Sequence, residues 1–349
     1  MVKKLFVCAT VYQLINAIQL KSTLYKNAPS DLIVLDTFKE YQVIAKKIQD
    51  ENIFERVIPV AQNFVKFKTV ARDIFSQKFR KVIHKNSLKS ILFENYNEFI
   101  FSSLNTFTIY LGAYYLRKIK SIKITLFEDG ASSYSKYYER AFHDVNCGGA
   151  IKKLIYKVLH NPILYVSKYY LYNPDILIWD APNVERIPKI DTSNSKLIFL
   201  LNKLFNYENL KDDYREKVIF LEESYYADGI SVPDIDIVNQ LAKQYGKDQI
   251  FVKKHPRNPT NRFDELGYKT NEDTIIPWEV IALNIDLSDK IIATISSTAA
   301  ISTLLMFPNA NVQFYCNDVK SNNFRLNSTI EVIKKIQQFY GTKFQEGKL

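Results

Sequence analysis

The sequence predicts an α/β protein built from two successive domains, each with its own parallel sheet. Short apolar runs alternate with amphipathic stretches through most of the chain, which is the pattern of parallel strands joined by crossover helices. The alternation stops at residues 151–190 and then restarts. With 349 residues, the chain is long enough for two domains that each bury a core.

The first domain is expected to span residues 1–150. Its strands are predicted, in chain order, at KLFVCAT, DLIVLD, RVIPV, EFIFSS and SIKITLFE, with helical patterns such as YQLINAIQLKSTLY and SLNTFTIYLGAYYLRKIK between them. The amino terminus is not read as a signal peptide, because polar residues interrupt its apolar part at Thr10, Gln13, Asn16 and Gln19. No uninterrupted apolar run approaches the roughly 20 residues that a membrane span needs, so the protein is expected to be soluble or at most peripheral.

The stretch 151–190 is basic, aromatic and interrupted by Pro162 and Pro174, which suits a connection between the domains. The second domain is expected to span residues 191–349. Its strands are predicted at KLIFLLNKLF, KVIFLEES, QIFVKKHP, DKIIATISS and NANVQFYC, and its helices include VPDIDIVNQLAKQY and STAAISTLLMF.

The net charge of +10 predicts an anionic partner of some kind. Residues 61–90 hold eight Lys or Arg against one Asp, with phenylalanines at near-helical spacing in the stretch 64–85. This segment fits a core-facing helix with a solvated basic face, or a helix that lies on an anionic membrane surface. Nucleic-acid binding is not expected, because no motif of that class occurs.

The three cysteines, Cys8, Cys147 and Cys316, lie far apart and include no CxxC pair. This usage predicts a reduced, cytoplasmic compartment and no metal site.

Three strand ends stand out, because ligands of open parallel sheets bind beyond the carboxyl ends of the strands. The first is Glu128-Asp129-Gly130, where a predicted strand ends on adjacent carboxylates. Strand alternation sends the two side chains in different directions, so one can act as a general base for a sugar hydroxyl while the other anchors the loop. The alternative is a solvated strand end with a turn at Gly130.

The second strand end is FVKKHPRNP, in which His255 directly follows a predicted strand and Pro256 and Pro259 stiffen the loop. With Lys253, Lys254 and Arg257 around it, His255 is a candidate for a phosphate clamp. The alternative is a surface loop with basic decoration.

The third strand end is Ser296-Ser297-Thr298, where a strand gives way to a helix. Hydroxyls and free backbone amides converge there at the positive end of the helix dipole, which predicts an anion site. The alternative is simple helix capping.

In this order, the acid-acid-Gly, His-Pro and Ser-pair motifs resemble those of the bacterial sialyltransferases. The opening LFVCATVYQLINAIQL and the overall length are similar to the glycosyltransferase family 52 branch, which includes lipooligosaccharide α-2,3-sialyltransferases. The resemblance implies a GT-B-type architecture, in which two Rossmann-like domains face each other across a cleft. It also implies metal-independent, inverting transfer of sialic acid from CMP-sialic acid to a galactose-terminated glycan of a bacterial surface polysaccharide or lipooligosaccharide.

The resemblance also assigns roles to the motif residues. Glu128 is the implied general base, with Asp129 as its neighbour and the second candidate for the base. The residues implied at the nucleotide are His255, Pro256, Ser296, Ser297 and Thr298 at the phosphate, Glu279 at the ribose and Lys253 near the base. The one D-x-D, Asp234 to Asp236, follows a proline at a predicted helix start, where acids are ordinary first-turn residues rather than metal ligands.

Two other functions remain open from the sequence. One is a transferase of the same fold that uses another nucleotide sugar, for example a glucosyltransferase. The other is a peripheral membrane or polyanion-binding protein with degenerate sites. The expected location is the cytoplasm, at the inner face of the cell membrane, and a homodimer is left open.

Overall fold

The structure is a computed structural model that describes residues 3–61, 88–146, 150–271, 276–307, 309–316 and 323–340. The chain divides into two compact units. Unit 1 comprises Met1–Asp129, Tyr138–Pro174 and Asp180–Pro188, and unit 2 comprises Gly130–Tyr137, Asp175–Trp179 and Lys189–Leu349. Each unit has a parallel sheet with helices, which confirms the predicted fold class.

Unit 1 contains a seven-stranded parallel sheet in the order β3-β2-β1-β4-β5-β6-β7. Its strands are β1 Lys3–Cys8, β2 Ser30–Leu35, β3 Arg56–Val60, β4 Tyr96–Phe101, β5 Lys123–Phe127, β6 Val166–Leu171 and β7 Val184–Arg186. Every residue of β2 is buried, because a parallel sheet covered by helices on both faces needs near-continuous apolar strands.

Unit 2 contains a five-stranded parallel sheet in the order β10-β9-β8-β11-β12. Its strands are β8 Val218–Leu221, β9 Ile250–Lys253, β10 Lys269–Thr270, β11 Ile291–Thr294 and β12 Asn311–Phe314. The strand order reverses between β8 and β11, and this switch point is where open α/β sheets bind ligands.

The helices of the described residues follow the strands in the alternation that the sequence predicts. They are α1 Val11–Ser22, α2 Tyr41–Asp50, α3 Lys89–Leu92, α4 Thr106–Lys118, α5 Ala131–Tyr134, α6 Lys136–Asn146, α7 Ala150–Val158, α8 Ser195–Phe205, α9 Asp234–Tyr245, α10 Arg262–Glu265, α11 Trp278–Ala282, α12 Thr298–Met306 and α13 Phe324–Tyr340. Single 3₁₀ turns lie at Pro162–Tyr165, Pro174–Ile176, Tyr207–Asn209 and Lys247–Gln249.

The stretch 151–190, expected as a connection, contributes two further strands to the sheet of unit 1. β6 pairs with β5, and β7 pairs with β6. The aromatic residues Tyr169 and Tyr170 that marked this stretch are buried in the sheet. β7 has only three residues and none is fully buried, so it carries no alternating pattern that a sequence can reveal.

The strand predicted at KLIFLLNKLF is wrong, because this segment forms the helix α8. The Asn194 side chain caps the helix by accepting a hydrogen bond from the Leu197 amide. The residues at 197, 201, 204 and 205 are buried, while Phe199 is 70% exposed. This is the spacing of one helical face, and an apolar run of this length is ambiguous between strand and helix.

Several sequence predictions fall on residues that the structure does not describe. Most of the basic stretch 61–90 and Cys147 lie outside the described residues. Cys8 and Cys316 are buried and free. Within the described ranges, no helix is both long enough and apolar enough to span a membrane.

Candidate active site

Glu128 directly follows β5 and is fully buried within unit 1. Its Oε1 accepts a hydrogen bond from the Tyr12 hydroxyl at 2.5 Å, and its Oε2 accepts one from the Tyr172 backbone N–H at 2.9 Å. Donors of this kind stabilise the charged form of a carboxylate. The acid at the strand end is therefore held by its own unit.

Asp129 is the more exposed member of the pair. Its Oδ1 accepts a hydrogen bond from Gln13 Nε2 at 2.5 Å, and the Tyr138 hydroxyl lies 3.0 Å from its Oδ2. Asp129 is thus anchored within its own unit, while Glu128, the implied general base, is the more buried of the two acids.

Tyr12, Gln13 and Asn16, three of the side chains that hold the two acids, come from the first turns of α1. Thr10 caps this helix by accepting a hydrogen bond from the Gln13 amide, which fixes the start of the helix. Gln13 then bonds to Asp129, and Asn16 Nδ2 donates to the Glu128 carbonyl at 3.2 Å. Polar residues spaced by three along an otherwise apolar helix were the sequence signal for this buried network.

Gly130 is required by both its conformation and its surroundings. Its φ of 64° and ψ of −149° lie in a region that essentially only glycine adopts. A Cβ atom at this position would lie 2.2 Å from Thr298 Cγ2, at the start of α12. The glycine of the first motif therefore packs within unit 2 against the residue that follows the Ser pair.

His255 lies at the carboxyl end of β9, and both its backbone and its ring form hydrogen bonds. Its backbone N–H donates to Glu222 Oε2 at 2.9 Å, and its Nδ1 accepts the Arg257 backbone N–H at 3.2 Å. Because Nδ1 is an acceptor, the ring proton of the neutral imidazole is on Nε2. Burial, followed by the positive charge of Arg257, lowers the pKa of His255 to about 4, so the ring is a neutral N–H donor near pH 7.

The residues next to His255 in the loop differ in their exposure and in their bonding partners. Lys253 is buried at the end of β9, whereas Pro256 is exposed. The Lys254 backbone N–H donates to Asn271 Oδ1 at 2.5 Å. Arg257 forms an ion pair with Asp228 at 3.1 Å, so part of its charge is compensated within the loop.

Ser297 caps α12, and Ser296 bonds to residues that follow the neighbouring strand β8. Ser297 is the N-cap of α12, and its Oγ accepts the Ala299 N–H at 3.3 Å. The Ser296 N–H donates to Glu223 Oε1 at 2.5 Å, and its hydroxyl bonds to the Tyr225 hydroxyl. Thr298, the first residue of the helix, is half-exposed. Ser297 therefore has the helix-capping role that was the alternative to an anion site, and the helix that it caps begins next to the switch point.

Glu222 and Glu223, which follow β8, are site residues that the sequence analysis did not single out. Glu222 receives the His255 amide on one side, and Glu223 receives the Ser296 amide on the other. The two acids therefore join the His-Pro loop and the Ser loop on either side of β8. The signal was the pattern IFLEES, a buried strand that ends on two adjacent acids as TLFEDG does.

Glu279 is buried on α11, where its Oε1 accepts a hydrogen bond from the Ser302 hydroxyl at 2.8 Å. Burial raises the pKa of Glu279, and the positive charge of Lys253 acts in the opposite direction. Glu279 and Lys253, which the resemblance implies at the nucleoside, therefore interact electrostatically in unit 2.

Asp234 of the D-x-D forms an ion pair with Arg262 at 2.5 Å in the first turn of α9. In the described ranges, no group of three or more His, Cys, Asp or Glu side chains is arranged to hold a metal ion. The D-x-D carboxylate thus has a protein cation as its partner.

Two solved structures are similar to this chain. An α/β-galactoside α-2,3-sialyltransferase from Photobacterium phosphoreum is 15% identical, with a TM-score of 0.58 over 99% of this chain and 98% of the other. A UDP-N-acetylglucosamine 2-epimerase from Rickettsia bellii is 14% identical, with a TM-score of 0.48 over 97% of this chain and 87% of the other. The similarity to the first of these shows the GT-B-type fold. No curated protein sequence matches the chain.

A family profile described as alpha-2,8-polysialyltransferase matches residues 4–316. The match covers all three motifs and most of both units, and it confirms the sialyltransferase class that the motifs indicated. The chain belongs to the alpha-2,8-polysialyltransferase family.

Proposed function

We propose that the protein transfers sialic acid from CMP-sialic acid to the end of a bacterial surface glycan, in a single displacement that inverts the anomeric configuration. The observation that carries this proposal is the placement of the family's motif residues. The His-Pro and Ser loops flank β8 at the switch point of unit 2, and the acid pair ends β5 of unit 1.

The donor would bind at the switch point of unit 2. His255 would donate its Nε2–H to the phosphate, and the amides and hydroxyls at Ser297 and Thr298 would complete the phosphate site. Glu279 would accept from the ribose hydroxyls, with Lys253 near the cytosine. These groups stabilise the negative charge that grows on the CMP phosphate as the bond to the sugar breaks.

The acceptor hydroxyl would attack the anomeric carbon as the bond to the phosphate oxygen breaks, and its proton would pass to the acid pair. We propose Glu128 as the final proton acceptor, as the family motif implies. Glu128 is buried, but Tyr12 is half-exposed and bonds to it directly. The Tyr12 hydroxyl would pass its own proton to Glu128 and take the proton of the acceptor. Asp129 is the rival, because it needs no relay.

The acceptor is proposed to end in sialic acid, because the family description specifies the α-2,8 linkage. The galactose-terminated acceptor and α-2,3 linkage implied by the resemblance to glycosyltransferase family 52 form the alternative. The glycan would belong to a capsule or lipooligosaccharide. It would be extended in the cytoplasm at the inner face of the membrane, where the net charge of +10 favours peripheral contact with anionic lipid.

A transfer assay tests the proposal. Purified protein is incubated with CMP-sialic acid and, separately, with UDP-glucose, each with a sialic-acid-terminated and a galactose-terminated oligosaccharide. We expect elongation only with CMP-sialic acid and the sialylated acceptor, and NMR should show an α-2,8 linkage. Transfer from UDP-glucose alone would overturn the donor assignment, and transfer to galactose would move the acceptor assignment to the α-2,3 alternative.

A further inference from the structure

Glu223 occupies the place in unit 2 where an anion is expected to bind. It follows β8, next to the switch point between β8 and β11. Its Oε1 accepts hydrogen bonds from the Ser296 N–H at 2.5 Å and from the Thr294 hydroxyl at 2.7 Å. Both donors lie at the strand end that leads into α12. A protein carboxyl group thus already uses donors that face this end of the sheet.

A second anion at this strand end would meet an unfavourable charge if Glu223 were ionised. Two negative groups that lie close together at one strand end cannot both stay charged without cost, and the more basic of them takes up a proton. A donor phosphodiester stays ionised near neutral pH, whereas a carboxyl group can be neutralised. The proton would therefore go to Glu223.

The surroundings of Glu223 favour the neutral form. Burial, and in addition the negative charge of Asp234 on α9, raise the pKa of Glu223 to about 7, although the bonds from Ser296 and Thr294 lower it. Asp234 itself is paired with Arg262. Near Glu223, the positive charge of Arg325 acts on the Tyr225 side chain. At the adjacent strand end, the charges of Arg257, Asp228, Lys253 and Arg325 act on His255.

We propose that the donor phosphate binds with Glu223 protonated, so that donor binding takes up one proton from solvent and Glu223 donates a hydrogen bond to the phosphate. This inference rests on the proposed function, because it assumes that the anion at this strand end is the donor phosphate. It adds a phosphate-binding residue outside the three motifs, and it makes donor affinity dependent on pH.

The experiment is calorimetry with a non-transferable 3-fluoro analogue of CMP-sialic acid, whose phosphodiester does not titrate near pH 7. Binding is measured from pH 6 to 8.5 in two buffers of different ionisation enthalpy, which reports proton uptake. For the wild type we expect uptake approaching one proton at pH 8, and a Kd that rises about tenfold per pH unit above 7. Wild-type binding without proton uptake would overturn the proposal, whatever the variants do.

Glu223→Gln keeps the shape of the protonated acid. We expect its Kd to stay constant over this pH range, so that at pH 8.5 it binds the analogue about tenfold or more tightly than the wild type. Glu265→Gln, at an exposed acid of α10, is the matched control and should behave as the wild type. Weaker binding by Glu223→Gln at every pH would reduce Glu223 to a structural role and overturn the proposal.

The His255→Gln variant tests whether His255, rather than Glu223, takes up the proton on donor binding. If proton uptake persists in Glu223→Gln and disappears in His255→Gln, the proton goes to His255 and the proposal is wrong. If the wild type does not bind the analogue at any pH, the CMP-sialic acid assignment fails and the inference fails with it. Binding with unchanged proton uptake in Glu223→Gln overturns this inference alone.

Discussion

Two strand ends of this protein share one short pattern and differ in their surroundings. β5 runs into Glu128-Asp129, and β8 runs into Glu222-Glu223. In both, the first acid is buried and the second bonds to residues beyond the end of another strand. Glu128 accepts from a tyrosine hydroxyl and a backbone amide, whereas Glu222 accepts from the Arg262 guanidinium and the His255 amide.

The contacts of the two acid pairs follow their strand positions rather than the local pattern that they share. The β8 pair lies next to the switch point, and it fixes the two loops that would bind a phosphate. The β5 pair lies away from the switch point of its sheet and is held by the start of α1. One pair would position an anion site, and the other would remove a proton.

The largest expected effect is at the β5 pair. Glu128→Gln keeps the shape but removes the basic function, so turnover should fall by about 10²–10⁴-fold, which is the usual contribution of a positioned base. CMP affinity should be unchanged, because the nucleotide residues belong to unit 2. Glu185→Gln, at an exposed acid of the same unit that pairs with Lys168, should keep normal turnover.

Tyr12→Phe and Asp129→Asn then separate the two candidate bases. A relay through Tyr12 predicts that Tyr12→Phe loses most of the turnover that Glu128→Gln loses. Normal turnover in Tyr12→Phe and Glu128→Gln, together with loss in Asp129→Asn, would make Asp129 the base. Steady-state rates with calorimetric CMP affinities decide between these results.

The next effect concerns the neutral histidine of unit 2. Removing one preorganised donor to a developing negative charge typically lowers turnover by about 10²–10³-fold, and we expect this of His255→Ala. His255→Gln retains an N–H donor and should lose less. In the wild type, NMR of the ring nitrogens should show the Nε2–H tautomer between pH 5 and 8, because the pKa of His255 is lowered to about 4. A ring that is charged at pH 6 would contradict this account.

The sequence predicted much of this arrangement, for a physical reason. The acid pair, His255 and the Ser pair all follow apolar strands, and strand ends in parallel sheets are where ligands bind. The mutual contacts could not be predicted in the same way. The bond from Ser296 to Glu223 joins residues 73 positions apart, so it depends on the order of the strands and leaves no local pattern.

The errors in the fold have a similar origin. The α8 segment is apolar enough to pass for a buried strand, and only its cap at Asn194 and its exposed Phe199 mark it as a helix. β7 is an edge strand of three residues, and its existence depends on pairing with β6. For Glu128 and Asp129, alternation predicts that the two side chains diverge, but not which of them is buried.

A smaller effect, on stability, is expected at Gly130. Gly130→Ala places a Cβ against Thr298 in a backbone conformation that costs about 1–3 kcal/mol for other residues. Gly229→Ala is the matched control, because it shares a positive φ of 69° but has no atom within 4 Å of the added Cβ. Urea unfolding should show the larger loss for Gly130→Ala. Adding Thr298→Ser, which removes the Cγ2 atom, should restore part of it, and equal losses at the two glycines would refute the packing argument.

The smallest expected effect is that of chelation. We propose that catalysis needs no metal, since Asp234 of the D-x-D is paired with Arg262 and the leaving phosphate has protein donors. Turnover with excess EDTA should equal that of the untreated protein. A loss that Mg²⁺ or Mn²⁺ restores would show that the donor phosphate is neutralised by an ion.

A thermal-shift titration with CMP, UDP and GDP tests directly whether unit 2 binds a cytidine nucleotide. A ligand that binds only the folded state stabilises it by about 2.7 kcal/mol at 100 times its Kd, so a true nucleotide site gives a saturable rise in Tm. We expect CMP to raise the Tm of the wild type and of Glu128→Gln equally, with a smaller rise in His255→Ala and none from UDP or GDP. Stabilisation by UDP or GDP without any by CMP would contradict it.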